Sequence, residues 1–436
     1  ARPVGAVGDL FVPGRALMGS LPGDVLLLRT YPSRKEGSLG EGEVVSIAKA
    51  AACRFTGVVS QNQDFLEVVP DKMLGFPVRL VSGKSSRYKA GDKVLCEIVS
   101  RGSRHYNHRA KVIEVFGSSL KADNCAKSLI RLNEINVEFP AVVSEAAQRL
   151  NDAGIHPKER ASRLDLRDEI IFTIDSADSK DLDDAVSIQK TKDGWELGVH
   201  IADVSYYVHP QSPLDNEAYA RGTSIYYADQ VIPMLPKALS NGICSLNEEE
   251  DRLAFSCFMN LDTQGNLVSF DFKKTLIRSR VKGVYSEINA ILAGEATPEI
   301  LEKYSAVMDS IHLIDQLCSL RLKKKRERGA MDLETSESKI ILDENRNVKE
   351  IKPRGTGRSE NIIEEMMLLA NESAATFALE KHLPFCFRVH EPPSPDKLQN
   401  LAELLAAIGQ SKRDIQPGVS PTRLAQVLEG VRGTKY

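Results

Sequence analysis

The chain has no CxxC pair, and its seven cysteines are odd in number and widely spaced. This pattern argues against a disulfide framework and against a cysteine-based zinc site. We therefore expect a reducing, cytoplasmic environment in which most of the thiols are free and buried. The cysteines are Cys53, Cys96, Cys125, Cys244, Cys257, Cys318 and Cys386.

Long apolar runs and a phosphate-binding glycine loop are missing too. No stretch approaches the roughly 18–20 apolar residues that span a bilayer, so we expect no membrane partner. The N-terminal ARPVGAVGDLFVPG also lacks the basic-then-apolar order of a secretory signal. Without a Walker-type loop, nucleoside triphosphate chemistry is disfavoured, although another metal-dependent phosphotransferase stays open.

The net charge of −3 conceals a difference between the two parts of the chain. Residues 1–150 contain 21 Lys and Arg against 15 Asp and Glu, a net charge of +6, which leaves −9 for the remainder. A basic surface attracts polyanions such as nucleic acids, whereas concentrated carboxylates attract cations. The charge pattern therefore predicts separate tasks for the two parts.

The first 117 residues are predicted to be rich in β-strands. Short apolar stretches such as DVLLLRTY and DKVLCEIVS recur between Gly, Asp, Asn and Ser residues, which is typical of strands joined by turns. Two similar modules predict a partial cold-shock or OB-type barrel over residues 1–50 and a second barrel over residues 51–117. Basic residues interleaved with rings indicate either single-stranded RNA binding or ordinary solvated loops. Those rings belong to Tyr88, His105, Tyr106 and His108.

The rest of the chain mixes helices and strands, so the predicted fold class is multidomain α+β. We expect a connector with one helix over residues 118–160 and a mixed α/β domain over residues 161–436. EIIFTI, AVSIQK and WELGVHIADVSYYV predict strands, and residues 298–328 predict one long amphipathic helix. Ser394 and Ser420 each precede a proline and predict helix N-caps.

The stretch DSADSKDLDD places five carboxylates within ten residues, directly after the apolar EIIFTI. In an extended segment Asp181 and Asp183 share one face and Asp184 lies on the other, while Asp175 ends a strand and can return across a loop. Converging carboxylates without His or Cys would select Mg²⁺, Mn²⁺ or Ca²⁺. An EF-hand does not fit, because lysine and valine stand where it needs glycine and glutamate. A solvated acidic loop stays the alternative to a metal site.

Four motifs, in this order, resemble the ribonuclease II and ribonuclease R family: IDSADSKDLDDAVSI, GVHIADVSYYV, RGTSIYYADQVIPMLPKALSNGICSLN and IIEEMMLLAN. The third looks more like the ribonuclease R branch. The resemblance spans nearly the whole chain and implies cold-shock domains followed by an RNB catalytic domain. It also implies a processive 3′-to-5′ exoribonuclease that uses Mg²⁺, acts on single-stranded RNA 3′ ends and releases nucleoside 5′-monophosphates. We further expect a monomer.

The family's acidic motif falls on Asp175, Asp181, Asp183 and Asp184, whereas Asp178 matches no required position. The resemblance implies that Asp183 corresponds to the aspartate whose loss removes cleavage. The other three would then ligate the metal and orient the 3′-terminal phosphate.

Three further residues match family positions that contact RNA. Tyr226 matches the aromatic residue that stacks on the terminal base, Tyr285 a second active-site tyrosine, and Glu364 the glutamate that holds the last nucleotide. Stacking suits any base, and a carboxylate can accept a hydrogen bond from a ribose hydroxyl. From the residues alone, the tyrosines could be core aromatics and the glutamate a solvated acid. His200 and Asp203 are expected to be structural.

The sequence also departs from the family pattern. Leu333 stands where many relatives have a phenylalanine that closes the base-stacking clamp, so a weaker clamp is expected. No TSPIRRY-type arginine motif and no C-terminal OB-type domain precede Tyr436. We therefore expect an RNB domain incomplete at its C-terminus, which a missing part of the same protein would complete. The alternative is a non-catalytic RNA-binding protein on an RNB scaffold.

Overall fold

The computed structural model describes residues 1–4, 9–31, 40–72, 74–81, 87–103, 107–227, 230–331, 337–409, 415–416 and 418–432. The chain divides into two compact units. The first consists of Ala1–Glu138, Tyr226–Val231 and Ser338–Pro353, and the second of Phe139–Ile225, Ile232–Glu337 and Arg354–Tyr436.

The described chain has seven strands before its first α-helix, and helices and further strands follow. The strands are β1 (Val25–Tyr31), β2 (Glu41–Lys49), β3 (Arg54–Asn62), β4 (Phe65–Pro70), β5 (Val78–Leu80), β6 (Asp92–Ser100), β7 (Arg109–Ser118), β8 (Leu164–Asp165), β9 (Thr173–Asp175), β10 (Asp184–Lys190), β11 (Gly194–Ala202), β12 (Ile225–Tyr227), β13 (Gln230–Ile232), β14 (Asp251–Asp262), β15 (Leu267–Arg278), β16 (Lys282–Val284), β17 (Glu337–Leu342) and β18 (Val348–Arg354). The α-helices are α1 (Ala122–Leu132), α2 (Ala141–Ala153), α3 (Pro157–Ser162), α4 (Val204–Tyr207), α5 (Pro213–Arg221), α6 (Tyr285–Ala293), α7 (Pro298–Lys303), α8 (Met308–Glu327), α9 (Arg358–Glu380), α10 (Pro395–Ala407) and α11 (Pro421–Glu429). None of the described helices combines the length and the apolar content that crossing a membrane requires.

Strands β3, β4, β5, β7 and β6 close a barrel in that order. Neighbouring strands are antiparallel except β5 and β7, which are parallel. Because alternate side chains of a strand point to opposite faces, the inward set forms an apolar core. Its members include Phe55, Val68, Val94, Cys96 and Ala110. The prediction of an OB-type barrel ahead of a mixed α/β part is confirmed.

A two-stranded antiparallel sheet, β1 with β2, precedes the barrel. Phe11 adds a parallel bridge to Glu41. The fully buried Asp24 side chain accepts a hydrogen bond from the Ala51 amide and pairs with Arg101, which follows β6. These bonds attach the hairpin to the barrel within the first unit.

The second unit is built on a five-stranded sheet with the order β10, β11, β14, β15, β8. Its neighbouring strands are antiparallel except β15 and β8. Apolar residues of β10, β11 and β14 pack with the apolar faces of α6, α8 and α9 in one large core. Fully buried members of that core include Leu197, Met259, Ile288, Ile311 and Met366.

The third predicted strand of this unit ends earlier than expected, because residues Val204–Tyr207 form a short helix. The Asp203 amide donates to the carbonyl of Leu253 at 3.0 Å, while its carboxylate accepts from Ser205 at 2.8 Å and from Arg163 at 2.6 Å. The Tyr206 amide donates to the Asp203 carbonyl at 3.1 Å, and this turn takes the backbone out of its extended course. The prediction of a strand through VSYYV was therefore wrong.

The long helix predicted over residues 298–328 is divided into α7 and α8 by the 3-10 turn Ser305–Val307. Tyr304, just before that turn, is fully buried. Its hydroxyl donates to Glu287 at 2.6 Å and accepts from the Val284 amide at 2.8 Å. The prediction of one continuous helix was wrong. The apolar period continues through the break, but contacts of Tyr304 with residues distant in sequence interrupt the helix.

Candidate active site

The acidic stretch forms a loop between two strands of the second unit. β9 ends at Asp175, and β10 begins at Asp184. Between them, Leu182 is buried in a small apolar cluster at the edge of the sheet. Its neighbour Asp183 is exposed, and Asp181 is half-buried. The convergence of these carboxylates on one point stays a prediction.

Burial and like charge raise the pKa of two carboxyl groups in this loop. Burial raises the pKa of Asp183, and the negative charges of Asp175 and Asp181 raise it further. Burial, followed by the charges of Asp183 and Asp175, raises the pKa of Asp184 to about 7. The charges of Asp175 and Asp181 thus disfavour the ionisation of Asp183, and those of Asp183 and Asp175 disfavour the ionisation of Asp184.

One oxygen of this group has no hydrogen-bond partner: Asp184 Oδ2 is buried and accepts no bond. A buried carboxylate oxygen is normally paired, because leaving it unpaired costs desolvation free energy. Carboxylate oxygens and excess negative charge fit a hard divalent cation. Across the described residues, however, no group of three or more Asp, Glu, His or Cys is arranged to hold a metal ion. The aspartates are electrostatic neighbours but do not form a completed ligand set.

Two side chains that the sequence analysis did not single out hold the backbone of this loop. Lys282 Nζ donates to the carbonyl of Ala177 at 3.2 Å and to that of Ser179 at 2.7 Å. Ser245 Oγ lies 2.9 Å from the carbonyl of Lys180. The only sequence signal for them is position, because Lys282 lies three residues before Tyr285 and Ser245 lies within the third family-like motif.

Tyr285 lies one residue beyond β16, the strand that pairs with β9 just before the acidic loop. β16 and β9 are parallel, with Val284 opposite Asp175. Tyr285 is half-buried at the start of α6, and its carbonyl accepts from Ser359 Oγ at 3.0 Å. The structure thus brings this predicted site tyrosine to the strand end that carries Asp175.

Glu364 lies on α9 and is paired rather than simply solvated. Lys325 Nζ is 2.8 Å from Glu364 Oε1 and 2.8 Å from Glu365 Oε1. The Glu365 side chain is buried, whereas that of Glu364 is 53% exposed. Burial opposes the charge of Lys325, but its bonds to the two glutamates leave the lysine pKa raised. Lys325 therefore ties an accessible carboxylate to a buried one.

Tyr226 lies in the β12–β13 hairpin and belongs to the first unit, whereas the aspartates, Tyr285 and Glu364 belong to the second. Its side chain is 69% exposed. An accessible ring suits stacking on a base, and the interpretation of Tyr226 as a core aromatic is excluded.

The aromatic and histidine rings predicted among the basic residues differ in their burial. His108 is buried, and Tyr88 packs against the barrel core. The interpretation of His108 as an exposed stacking ring was wrong, because its ring is buried near Phe76 and its Nδ1 accepts from the Gly102 amide at 3.3 Å. His105, Tyr106 and the departure at Leu333 lie outside the described residues.

His200 and Asp203 are structural, as expected. His200 is fully buried, with Nδ1 2.7 Å from Ser256 Oγ and Nε2 3.0 Å from Ser187 Oγ. Burial lowers its pKa to about 3, so the ring is neutral. Asp203 forms a buried ion pair with Arg163.

Comparison with known proteins agrees with the geometry. The model of the RNB domain matches residues 163–434, and that of the cold shock domain matches residues 68–140. Ribonuclease R of Thermotoga maritima is 38% identical over 399 residues, which cover 90% of this chain and 56% of the relative. Ribonuclease R of Vibrio parahaemolyticus is 33% identical over 438 residues, which cover 99% of this chain and 52% of the relative.

A solved structure is similar over almost the same extent. Mycoplasma genitalium RNase R, in complex with ribose-methylated single-stranded RNA, has a TM-score of 0.78 and 27% identity, covering 98% of this chain and 67% of that one. The chain spans about half the length of the curated relatives it matches. The predicted order of a cold-shock barrel and an RNB domain is confirmed. Because the RNB model matches well over half of its residues, the chain belongs to the family of proteins that carry the RNB domain.

Proposed function

We propose that this chain hydrolyses RNA processively from the 3′ end, releasing nucleoside 5′-monophosphates, with Mg²⁺ as cofactor. The observation that carries the proposal is the aspartate cluster of an RNB domain, in which Asp184 has a raised pKa and a buried oxygen without a partner. Such a group needs a cation to ionise fully at neutral pH. The similarity to ribonuclease R supports RNA as the substrate.

Asp175, Asp181, Asp183 and Asp184 are the residues that would hold the cation in this proposal. When bound, a divalent metal supplies Lewis acidity toward the phosphate and lowers the pKa of a bound water. The aspartates supply fixed negative charge and orient the terminal phosphate. Asp183, whose side chain keeps contact with solvent, is the carboxylate to which we assign cleavage.

The proposed RNA contacts use the remaining site residues. Tyr226 offers an exposed face on which the terminal base can stack, and Tyr285 stands beside the strand that carries Asp175. Glu364, half-exposed on α9, can accept a hydrogen bond from a ribose hydroxyl, which would distinguish RNA from DNA. We propose single-stranded RNA 3′ ends as the partner of a cytoplasmic monomer.

We also propose a domain division with a partial first cold-shock domain at residues 1–50, a second at residues 51–117, a connector at residues 118–160 and the RNB domain from residue 161. The closed barrel of β3 to β7 and the five-stranded sheet support this division. The hairpin β17–β18 is the exception, because most of it belongs to the first compact unit.

A time course on 5′-labelled RNA with a single-stranded 3′ tail tests the proposal. With Mg²⁺ we expect stepwise shortening from the 3′ end, and we expect Asp183→Asn to bind RNA without cleaving it. Asp178→Asn is the matched control, because Asp178 is an exposed acid of the same loop outside the proposed set. Binding without shortening by the wild-type protein would favour the non-catalytic alternative.

A further inference from the structure

The acidic loop depends on two side chains far away in sequence. Lys282 lies on β16, opposite Thr173 in the pair with β9, and its ammonium group is directed at the carbonyl groups of Ala177 and Ser179. Its own amide donates to Glu248 at 3.3 Å. The lysine is therefore fixed by its strand on one side and bonded to the loop backbone on the other.

Ser245 holds the second half of the loop. Its side chain is buried, and Oγ lies 2.9 Å from the carbonyl of Lys180 while accepting from the Leu182 amide at 3.0 Å. The next residue, Leu246, donates its amide to the Leu182 carbonyl at 2.8 Å. Residues 245 and 246 thus form a short ladder with the segment between Asp181 and Asp183.

These bonds oppose the mutual repulsion of the carboxylates in the loop. Before a cation is bound, carboxylates that repel one another favour a loop that spreads apart. Backbone bonds restrain the loop without neutralising the carboxylates, since carbonyl groups rather than carboxylate oxygens accept from Lys282. We propose that Lys282 and Ser245 are positioning residues that restrain the acidic loop against this repulsion and thereby set its affinity for the divalent metal. This inference rests on the proposed function.

The sign of the change in metal affinity distinguishes two possible roles of Lys282. If this residue acted only as a positive charge near a cation site, its removal would strengthen metal binding through reduced repulsion. If it acts through the loop backbone, its removal weakens binding. Loss of a residue that supports metal ligands typically lowers metal affinity by about 10–100-fold. The two interpretations thus predict opposite signs.

Titration of the whole protein with Mn²⁺, followed by calorimetry or by the paramagnetic signal of the free ion, measures this affinity without any reaction. We expect Lys282→Met and Ser245→Ala each to weaken binding by about tenfold or more. We expect Lys282→Arg, which keeps the donors and the charge, to restore most of the affinity. Lys273→Met, which removes a half-exposed lysine from β15, is the matched control and should leave affinity unchanged.

Hydrogen exchange of the amides between residues 176 and 183 gives the structural readout. Faster exchange there in Lys282→Met, with an unchanged melting temperature, would support positioning. Unchanged or tighter Mn²⁺ binding in Lys282→Met would overturn it. If that variant does not fold, Ser245→Ala decides: weaker binding supports the proposal, and unchanged binding overturns it.

Asp184→Asn separates this inference from the proposed function. If Asp184→Asn leaves Mn²⁺ binding intact, the proposed metal site is wrong and the positioning role falls with it. If Asp184→Asn abolishes binding while Lys282→Met and Ser245→Ala leave it intact, only the positioning role is wrong.

Discussion

Asp184 is a buried carboxyl group whose neighbours are also carboxyl groups. Since its pKa rises from 3.8 to about 7 on folding, the folded state binds its proton more tightly than the unfolded state does. Its contribution to stability is therefore fully present below about pH 4 and is lost as the pH rises to about 7.

The first prediction at the residue scale is that Asp184→Asn stabilises the protein at about pH 8 in the presence of a chelator, because the amide removes this penalty. The gain is at most about 4 kcal/mol, at about 1.4 kcal/mol per pKa unit. With excess Mg²⁺ the order should reverse, because only the wild-type site gains binding free energy. Thermal denaturation at about pH 5 and about pH 8 checks this, with Asp178→Asn as control. A difference independent of pH would contradict it.

A second prediction concerns the ion pair of Arg163 and Asp203, whose side chains are 1% and 5% exposed. Asp203→Ala leaves a buried guanidinium without this carboxylate, and we expect it to lower the free energy of unfolding by about 3–5 kcal/mol. The bonds from Arg163 and Ser205 outweigh burial and lower the pKa of Asp203, so its contribution is lost only as the pH falls through that lowered value. Urea denaturation at neutral pH measures the loss. A cost below about 1 kcal/mol would indicate that the pair is solvated.

Residue identities in the site could be predicted where side-chain chemistry is unusual. Five acids in ten residues beside an apolar strand are unusual for a protein core, and this composition led us to propose the aspartates as site residues. Lys282 and Ser245 could not be predicted from the sequence. They bond to backbone carbonyl groups, and such bonds leave no signal in the composition or periodicity of the sequence. The salt bridge between Glu364 and Lys325 could not be predicted from the sequence either, because 39 residues separate the two side chains.

Elements with local signals were predicted well. Ser394 and Ser420 accept from the amides three residues on and cap α10 and α11, as serine followed by proline predicts. The break between α7 and α8 was missed because its cause, the buried Tyr304 bonded to Val284, is a tertiary contact. Local propensity does not reveal tertiary contacts. The early end of β11 was missed for the same reason, because Asp203 is held by Leu253 and Arg163.

At this scale, the contact of α8 with α9 gives a third prediction. Lys325→Met leaves the Glu365 carboxylate buried without its cation and should destabilise the protein by about 3 kcal/mol. Adding Glu365→Gln to Lys325→Met should recover most of that loss. Glu364→Gln, at the exposed end of the same network, should cost less than about 1 kcal/mol. Chemical denaturation of the wild type, of Lys325→Met, of Glu365→Gln and of the double variant forms the cycle, and additive effects of the two changes would refute the coupling.

For the whole molecule, the charge asymmetry predicts where affinity for RNA originates. The basic part contains Arg79, which lies 4.2 Å above the Phe65 ring on the barrel surface. We expect RNA binding by Asp183→Asn to weaken steeply with salt, and the further change Arg79→Gln to lower the salt slope by about 0.7. Fluorescence anisotropy between about 50 and about 200 mM salt measures both. Lys273→Gln in the second unit is the charge-matched control, and an equal effect from it would contradict a binding surface on the barrel.

The parallel pairing of Val284 with Asp175 has a consequence for synthesis of the chain. The ribosome makes the acidic loop about 100 residues before it makes Lys282, which at roughly 5–20 residues per second is a delay of about 5–20 s. During that interval the aspartates have emerged but the strand and the lysine that support them have not. A nascent chain that stalls between the two segments therefore carries the acidic motif without the strand that supports it, so that the loop can take its folded form only after β16 has been translated.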